Sequence, residues 1–377
     1  MINLTGKERI LTAMQNQKPD RVPVVPDISN MVPAKMTGKP FWDVFYHQNP
    51  SIGYAVLDAV EYFDMDITYV STPMIYKRKN PPVCEVKTSM NQGCLIADYR
   101  YSTALGELTQ QTTFYKDNCP TFTKKPVETI QDIEKFKLLY SHIESFETQH
   151  LDAARKKLGD RGAFGLNVDI TGLQTWFNYF QGGLEELTVL YYEERDILDD
   201  LKAFWDADIL RQVEMILDYK PDFLFFQSSG GITLQSPTIF RELSLDVVKK
   251  ATAMAKEAGI PSLLHSCGKE KYLVELLSQE TDLNCINPLE LPPMGDCELA
   301  EVKKLYGDKI ALMGNIHTVE VMLFGSVDDV KKACIKAIDD AGENGGFILA
   351  TGDQPGRDTP FENIFAMIEV AKTYGKY

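Results

Sequence analysis

The sequence predicts an α/β fold, a (β/α)8 TIM barrel with an N-terminal helix and an inserted β-hairpin. Eight short apolar segments alternate with longer segments of helical periodicity along the 377 residues. This alternation is typical of a parallel sheet covered by helices, and eight repeats indicate a closed barrel. A doubly wound open sheet is the alternative, but no Gly-x-Gly-x-x-Gly turn follows the first apolar segment.

The first predicted element is a helix near the N-terminus. Thr5 and Glu8 have the spacing of a capping box, and the apolar residues Ile10 and Met14 follow at helical intervals. We expect this helix to run to about Gln17 and to cover one end of the barrel.

The predicted strands are short apolar runs that end in polar residues or glycine, at residues 22–26, 66–70, 163–168, 222–226, 261–264, 283–286, 310–313 and 347–350. Helices are predicted between them, at residues 185–219, 236–258, 269–279, 327–341 and 360–374. Residues 83–115 break the alternation with a period of two, which predicts a β-hairpin over the barrel mouth. No linker or internal repeat divides the chain, so we expect residues 1–377 to form a single domain.

The composition of the chain argues against some classes of binding partner and indicates the cellular compartment. The formal net charge of −15 argues against nucleic acid or an anionic membrane surface as a partner. The sequence contains neither 18 consecutive apolar residues nor the pattern of a secretory signal. Its seven cysteines are scattered and do not resemble a disulfide framework, which indicates a reducing compartment. We therefore expect a cytoplasmic protein.

Candidate functional residues follow the predicted strands. In (β/α)8 enzymes the chemistry lies at the C-terminal ends of the strands. There this chain has Asp27, Asn167, Asp169 and Gln227, which we take as candidate catalytic residues. The last three have side chains suited to orienting the oxygen atoms of a substrate. The alternative is that such side chains only satisfy the backbone of their own loops.

A metal site is predicted after the fifth strand. His265 and Cys267 alternate along an extended segment, so their side chains point to the same side. Imidazole nitrogen and thiolate sulfur are zinc ligands, and a catalytic zinc site has three protein ligands and one open position. Asp353, His317 and Cys285 follow other strands at the same barrel face, and each is a candidate for the third ligand.

Three segments resemble signatures of the uroporphyrinogen decarboxylase superfamily. They are Gly-Gly-Phe-Ile-Leu-Ala-Thr-Gly-Asp at 345–353 with Asp-Thr-Pro-Phe-Glu-Asn-Ile at 358–364, Leu-His-Ser-Cys-Gly at 264–268, and Ser-Pro at 236–237 with Phe-Arg at 240–241. The resemblance extends from Arg-Val-Pro-Val at 21–24 to the C-terminal helix. It implies a (β/α)8 barrel.

Two branches of that superfamily differ in the residues that follow the first strand and in their metal ligands, and this chain can be compared with both. Decarboxylases carry Arg-Gln-Ala-Gly-Arg after the first strand to hold the carboxylates of their substrate, whereas this chain has Pro-Asp-Ile-Ser-Asn-Met-Val at 26–32. The chain looks more like the corrinoid-dependent zinc methyltransferase branch, which binds zinc with His-x-Cys and a cysteine after the last strand. The resemblance thus implies His265, Cys267 and residue 353 as metal ligands, with Asp353 in the place of that cysteine.

A carboxylate is a harder ligand than a thiolate, so Asp353 should make a bound Zn²⁺ favour an oxygen substrate over a thiol. We therefore expect a methyltransferase of the O-demethylase type, with a methoxylated aromatic or similar small methylated substrate. The sequence has no corrinoid-binding Asp-x-His-x-x-Gly, so we expect cobalamin to be carried by a partner corrinoid protein. A tetrapyrrole decarboxylase and a non-catalytic small-molecule-binding barrel are the alternatives. The direction of methyl transfer and the oligomeric state, including a homodimer, stay open.

Overall fold

The computed structural model describes residues 3–71 and 73–377. Eight parallel strands form the barrel, labelled β1 to β8 in chain order: Val24–Val25, Ile67–Ser71, Gly162–Asp169, Phe223–Gln227, Ser262–His265, Cys285–Asn287, Ala311–Ile316 and Phe347–Thr351. Each of them overlaps its predicted counterpart, so the predicted (β/α)8 barrel is confirmed.

Helices cover the barrel and connect its strands. In chain order, α1 to α15 are Gly6–Met14, Met31–Met36, Phe41–Phe45, Ile52–Phe63, Asp132–Leu139, Gln149–Leu158, Leu173–Trp176, Gly183–Glu193, Arg195–Tyr219, Ser236–Leu243, Leu245–Glu257, Lys271–Glu280, Leu299–Tyr306, Val327–Ala341 and Phe361–Thr373. A 3₁₀ turn at Gly159–Arg161 and a π-helix at Thr318–Leu323 complete the helical segments of the described residues.

The segments predicted as helical at 185–219 and 236–258 are helical, but each is divided into a pair of helices. The first pair meets at Glu194 and the second at Ser244. The Ser244 hydroxyl accepts a hydrogen bond of 3.1 Å from Nε2 of Gln235, which lies next to the start of α10. Such a contact outside the helix competes with regular helix geometry, and the apolar periodicity does not encode it.

Strand pairing aligns candidate side chains at the barrel mouth. Neighbouring strands are hydrogen-bonded in the order β1, β8, β7, β6, β5, β4, β3, β2. Gln227 pairs with Asp169 on one side and with His265 on the other, and His265 pairs with Asn287. These four residues therefore form a row at the C-terminal ends of β3 to β6.

The barrel has a seam between β1 and β2, where the described residues show no strand pairing. At the N-terminal ends of these two strands, the Asp66 carboxylate accepts hydrogen bonds from the Val24 N–H at 3.0 Å and from Arg9 and Arg21, both at 2.8 Å. All four residues are largely buried, and charge-assisted hydrogen bonds of this kind are stronger than neutral ones. Hydrogen bonds to the Asp66 side chain thus connect β1 and β2 where the two strands are not paired with each other.

Helix α1 covers the N-terminal end of the barrel, as predicted. Its capping box is present, with Thr5 Oγ1 accepting from the Glu8 N–H at 3.2 Å and Glu8 accepting from the Thr5 N–H at 2.8 Å. The helix ends at Met14, three residues earlier than expected, because Asn16 adopts a positive φ of 58° and turns the chain. The Asn16 side chain then donates to the Gly307 carbonyl at 3.0 Å, just before β7.

The insertion is larger than the predicted hairpin. It is a four-stranded antiparallel sheet of Val83–Asn91, Cys94–Thr103, Gly106–Phe114 and Thr121–Lys124. Its apolar face, which includes Leu95 and Phe114, packs against Trp42 and Phe45 of α3. Arg357, which follows β8, pairs with Asp117 of the insertion at 2.7 Å. The inserted sheet therefore borders the barrel mouth.

The apolar core lies inside the barrel and between the strands and the helices. Gly165 of β3 shows how closely the layers approach, because a Cβ atom there would lie 2.3 Å from Cζ of Phe223. Close packing of this kind is typical of protein interiors. Among the described residues, none of the helices combines the length and apolar character needed to span a bilayer.

Candidate metal and substrate site

The His265–Cys267 segment continues β5 at the barrel mouth. His265 is the last residue of β5 and is 7% exposed, with its ring 6.4 Å from that of Phe225 between centroids. After it the Ser266 N–H donates to the Asn287 carbonyl at 2.8 Å, which extends the strand pairing by one residue. The alternation of an extended chain then turns Cys267 to the side of His265.

Two hydrogen bonds and a glycine fix the turn that follows. Gly268 has a φ of +92°, and a Cβ atom on it would lie 2.2 Å from Oγ1 of Thr233. The Gly268 N–H donates to the Glu290 carboxylate, and the Lys269 N–H donates to Thr233 Oγ1 at 2.8 Å. Glycine is therefore required here both by the backbone conformation and by the space available.

Asp353 reaches the same place from the last strand. It follows β8 after Gly352 and has a φ of +87°, a conformation that non-glycine residues rarely adopt. Its Oδ1 accepts a hydrogen bond from the Gln354 N–H at 2.7 Å. One ligand atom each from His265, Cys267 and Asp353 lies within 4.8 Å of the others. The structure thus brings together the three residues chosen as metal ligands from the sequence.

The donor set fits Zn²⁺. Imidazole nitrogen, thiolate sulfur and carboxylate oxygen all bind zinc at about 2.0 to 2.3 Å, and ligands of one zinc ion lie roughly 3 to 4 Å apart. In the structure the three ligand atoms lie within 4.8 Å of one another. The thiolate and the carboxylate together balance the charge of the ion, and three protein ligands leave a position open for substrate.

The two other candidates for the third ligand have different roles. Cys285 is the first residue of β6, two residues below the strand end, and burial raises the pKa of its thiol to about 12. His317 caps the π-helix, because its Nδ1 accepts from the N–H groups of Val319 at 3.2 Å and Glu320 at 3.1 Å. Within residues 3–71 and 73–377, neither belongs to a cluster of three metal-binding side chains.

The pKa values of several acidic groups at the cluster are raised. Burial and, to a smaller extent, the Asp353 and Glu290 carboxylates together raise the pKa of Cys267 to about 12. Burial also raises the pKa of Glu290, as does the nearby Asp353. The pKa of Asp27 is raised by burial, while His265 opposes the shift. A bound divalent cation would lower these pKa values, because its positive charge stabilises the deprotonated forms and offsets the repulsion among them.

A cavity of about 420 Å³ opens above the cluster. Its polar lining includes Asp27, Asn167, Gln227, His265, Asn287 and Asp353, and its apolar lining includes Val25, Ile28, Ile52, Val56, Ile67, Tyr69, Phe225 and Met313. A second cavity of about 360 Å³ lies at Val22, Ile338 and Tyr374 and contains none of the candidate residues. The chemistry points to the first cavity as the substrate site.

Of the four candidate catalytic residues, three line this cavity. Asp27 is held by a hydrogen bond of 2.9 Å from its N–H to Thr351 Oγ1, and Gln227 Nε2 donates to Ser229 Oγ at 3.0 Å. Asn167 has a buried Oδ1 without a hydrogen-bond partner. Asp169 is not part of the cavity wall that the described residues form. Burial raises its pKa to about 6.

Sequence reasoning missed Glu290 and the residues of α4. Glu290 comes three residues after β6, where it accepts from the N–H that follows Cys267. The rule that polar residues just after a strand are candidates would have included Glu290 if it had been applied to three residues beyond the strand end. Ile52 and Val56 of α4 line the cavity as well. They lack any such signal, because their apolar side chains look like ordinary core residues in the sequence.

The family comparison agrees with the barrel and its motifs. The family described as uroporphyrinogen decarboxylase matches residues 101–374. Among curated proteins, the methylcobamide:CoM methyltransferase MtaA of Methanosarcina barkeri is 31% identical over 141 residues, 37% of this chain and 38% of the relative. The methylcobamide:CoM methyltransferase MtbA of Methanosarcina mazei is 24% identical over 283 residues, 71% of this chain and 74% of the relative. The alignment with the first of these relatives thus spans well under half of its length.

The structural comparison concerns the whole chain. A solved structure of a methyltransferase from Methanosarcina mazei superimposes with a TM-score of 0.68 and covers 99% of both chains at 16% identity. At this identity the likeness establishes the barrel fold alone.

Proposed function

The chain belongs to the uroporphyrinogen decarboxylase family, and from this premise we propose that it is a zinc-dependent methyltransferase. It moves a methyl group from a small O-methyl donor, such as a methoxylated aromatic compound, to the cob(I)alamin of a partner corrinoid protein. The similarity to two corrinoid methyltransferases supports the transfer of methyl groups.

The observation that carries this proposal is the cluster of His265, Cys267 and Asp353 beneath the cavity. A bound Zn²⁺ would supply a Lewis acid for the oxygen of the methyl donor. Asn167 and Gln227 line the wall beside it, where their amides can orient that oxygen. Asp27 also lines the cavity, where its carboxyl group can form a hydrogen bond to the departing oxygen.

The ligand set supports oxygen donors over sulfur compounds. Asp353 replaces a soft thiolate by a hard carboxylate, and harder ligands favour oxygen on the open position of the ion.

Tetrapyrrole decarboxylation is less well supported. A substrate with several carboxylates needs clustered cationic side chains. None of the described residues that line the cavity is a lysine or an arginine.

The corrinoid is expected on a separate protein that docks over the barrel mouth, since the sequence lacks the corrinoid-binding motif. A cytoplasmic location and a homodimer remain predictions.

The decisive test is reconstitution with a reduced corrinoid protein. Zinc-loaded protein with a methoxylated aromatic donor should convert cob(I)alamin to methylcobalamin, followed by its visible spectrum. The protein without the corrinoid partner should release no demethylated product. Absence of methylcobalamin with methoxyaromatics, methanol and methyl thioethers alike would contradict the proposal.

A further inference from the structure

The inserted sheet has a long strand at its edge that no further strand covers. This strand is Val83–Asn91, which we call the edge strand. It pairs on one side only, with Cys94–Thr103, and all nine of its residues are exposed. Within residues 3–71 and 73–377, its backbone forms no hydrogen bonds to any other segment. The open side of the edge strand is therefore able to pair with a strand of another chain.

The opposite edge of the same sheet is protected in ways that are usual for exposed strands. Thr121–Lys124 has only four residues, and its register with Gly106–Phe114 shifts between Gln111 and Thr112. Short strands and irregular registers both hinder pairing with another chain. The edge strand is instead nine residues long, has a regular register with Cys94–Thr103 over its whole length, and contains no proline. This difference between the two edges favours a pairing partner for the edge strand.

One face of the edge strand is apolar and continues a face that is already covered. Cys84, Val86 and Met90 lie on this face, where Met90 is paired with Leu95 and Val86 with Tyr99. Leu95 and Tyr99 belong to the cluster that packs against α3, whereas Met90 is 60% exposed and Val86 is 45% exposed. A further strand with its apolar side chains on the same face would remove part of this surface from water, which is favourable.

The other face of the edge strand carries its two charges, Glu85 and Lys87. Neither side chain takes part in an ion pair with any of the described residues. The two charges add to zero, although the whole chain has a formal net charge of −15. Repulsion opposes the association of two acidic molecules, so a locally neutral strand is a place where two copies can approach each other at low electrostatic cost.

We propose that the edge strand pairs with the edge strand of a second copy of this chain, antiparallel and about a two-fold axis at Val86. This axis puts Glu85 directly opposite the partner's Lys87, and Lys87 opposite the partner's Glu85. Two ion pairs thus form on one face, while Val86 meets the partner's Val86 on the apolar face. The two inserted sheets become one continuous sheet. The interface lies outside the barrel, and it does not depend on the proposed function.

The charges and the apolar face together select this register. An axis at Lys87 would oppose two lysines, and an axis at Glu85 would oppose two glutamates, which is destabilising. An axis between two residues would put the apolar faces of the two copies on opposite sides of the joined sheet. The axis at Val86 pairs opposite charges and keeps both apolar faces on one side.

Charge reversal tests the pairing, with the molar mass measured by analytical ultracentrifugation. We expect the wild type to form dimers at about 100 μM protein. Glu85→Lys opposes like charges at both ion pairs, as does Lys87→Glu, so each variant should dimerise about tenfold or more weakly. An equimolar mixture of the two variants should form a heterodimer with roughly the affinity of the wild type, because every opposed pair is again a lysine with a glutamate.

Matched variants control for net charge and report the axis. Asp308→Lys and Lys309→Glu change the charge by the same amounts at exposed positions before β7 and should leave dimerisation unchanged. Val86→Cys in a Cys84→Ala background, with oxidised glutathione as the oxidant, should form a disulfide between two copies, because the two thiols face each other at the axis. Val83→Cys in the same background should not, since its thiols lie several residues apart along the paired strands.

Three results would overturn the proposal. The first is a wild type that stays monomeric at about 100 μM protein. The second is a dimer that both charge reversals leave intact. The third is a monomeric wild type that binds a corrinoid protein which Glu85→Lys fails to bind, and this result would assign the edge strand to that partner instead.

Discussion

Residue 353 decides the chemistry that the cluster can support. The neighbouring Gly352 and the strand β8 hold Asp353 in a left-handed conformation, with a φ of +87°, that a non-glycine residue adopts at a cost of about 1 kcal/mol or more. Strain of this kind persists when the surrounding structure imposes it, and it is concentrated at functional sites. The carboxylate is thereby held within reach of His265 and Cys267.

Removal of Cys267 should abolish metal binding without unfolding the protein. We expect Cys267→Ala to bind less than about one tenth of the zinc of the wild type and to lose methyl transfer by at least about 100-fold. Metal analysis and the corrinoid assay measure these effects, with Cys84→Ala as the control because Cys84 is exposed on the inserted sheet. Full zinc content in Cys267→Ala would mean that the cluster is not a metal site.

Substitutions at Asp353 should separate metal binding from donor preference. Asp353→Asn should weaken zinc binding by about tenfold or more, since a neutral amide is a poor zinc ligand. Asp353→Cys should retain zinc and shift the ratio of rates from methoxylated donors towards thiols and thioethers. The measurements are competition with a zinc chelator and the corrinoid assay. Unchanged zinc affinity in Asp353→Asn would contradict the assignment of Asp353 as the third ligand and would favour Glu290 or His317 instead.

Asp169 should make stability depend on pH. Its pKa in the folded protein is about 6, above the ordinary value of 3.8, because burial disfavours the carboxylate. It therefore contributes stability that is fully present below about pH 4 and is lost as the pH rises through about 6. The difference corresponds to at most about 3 kcal/mol. Asp169→Asn, which mimics the protonated form, should thus gain stability over the wild type as the pH rises.

Urea unfolding at pH 4.5, 6 and 8 measures this gain. Asp308→Asn on the surface is the control and should change stability equally at every pH. A constant difference between Asp169→Asn and the wild type across this range would show that the carboxyl group of Asp169 is not buried as the structure has it.

At the level of elements, the turn between β5 and α12 carries Cys267, one of the three candidate metal ligands. Gly268→Ala would place a Cβ atom 2.2 Å from Thr233 Oγ1 in addition to straining the backbone. We expect a loss of stability of about 1 to 3 kcal/mol and a zinc affinity at least about tenfold lower, because the turn that positions Cys267 must shift.

Gly259→Ala provides a matched control at the opposite end of the same strand. Gly259 also has a positive φ, of +70°, but nothing lies within 4 Å of its added Cβ. It should lose about 1 kcal/mol of stability and keep its zinc affinity. Equal zinc affinity in both variants would show that the contacts of the turn do not position the ligand.

At the level of the whole molecule, the fold should not depend on the metal. The barrel core is formed by apolar side chains from all eight strands, while the cluster lies at the mouth. We expect chelation of zinc to abolish methyl transfer but to leave the far-UV circular dichroism and cooperative thermal unfolding in place, in contrast to small zinc domains. Loss of secondary structure on chelation would contradict this view.

The sequence by itself determined the barrel and two of the three residues of the candidate metal site. Strands such as β5 and β8 are visible because a buried parallel strand needs a continuous apolar run, and this requirement acts within a few residues. His265 and Cys267 could be paired for the same reason, since two positions apart in an extended chain point the same way. The choice of Asp353 came from the resemblance to a family, because it lies 86 positions after Cys267 in the chain.

Only the tertiary structure decided how distant segments meet. It placed Glu290 behind the turn that carries Cys267, where the Glu290 carboxylate accepts a hydrogen bond from the Gly268 N–H. It also left β1 and β2 unpaired, and it placed Ile52 and Val56 of α4 in the wall of the cavity. These features depend on packing between residues far apart in the chain, whereas hydrophobic periodicity reports only which face of each segment is buried.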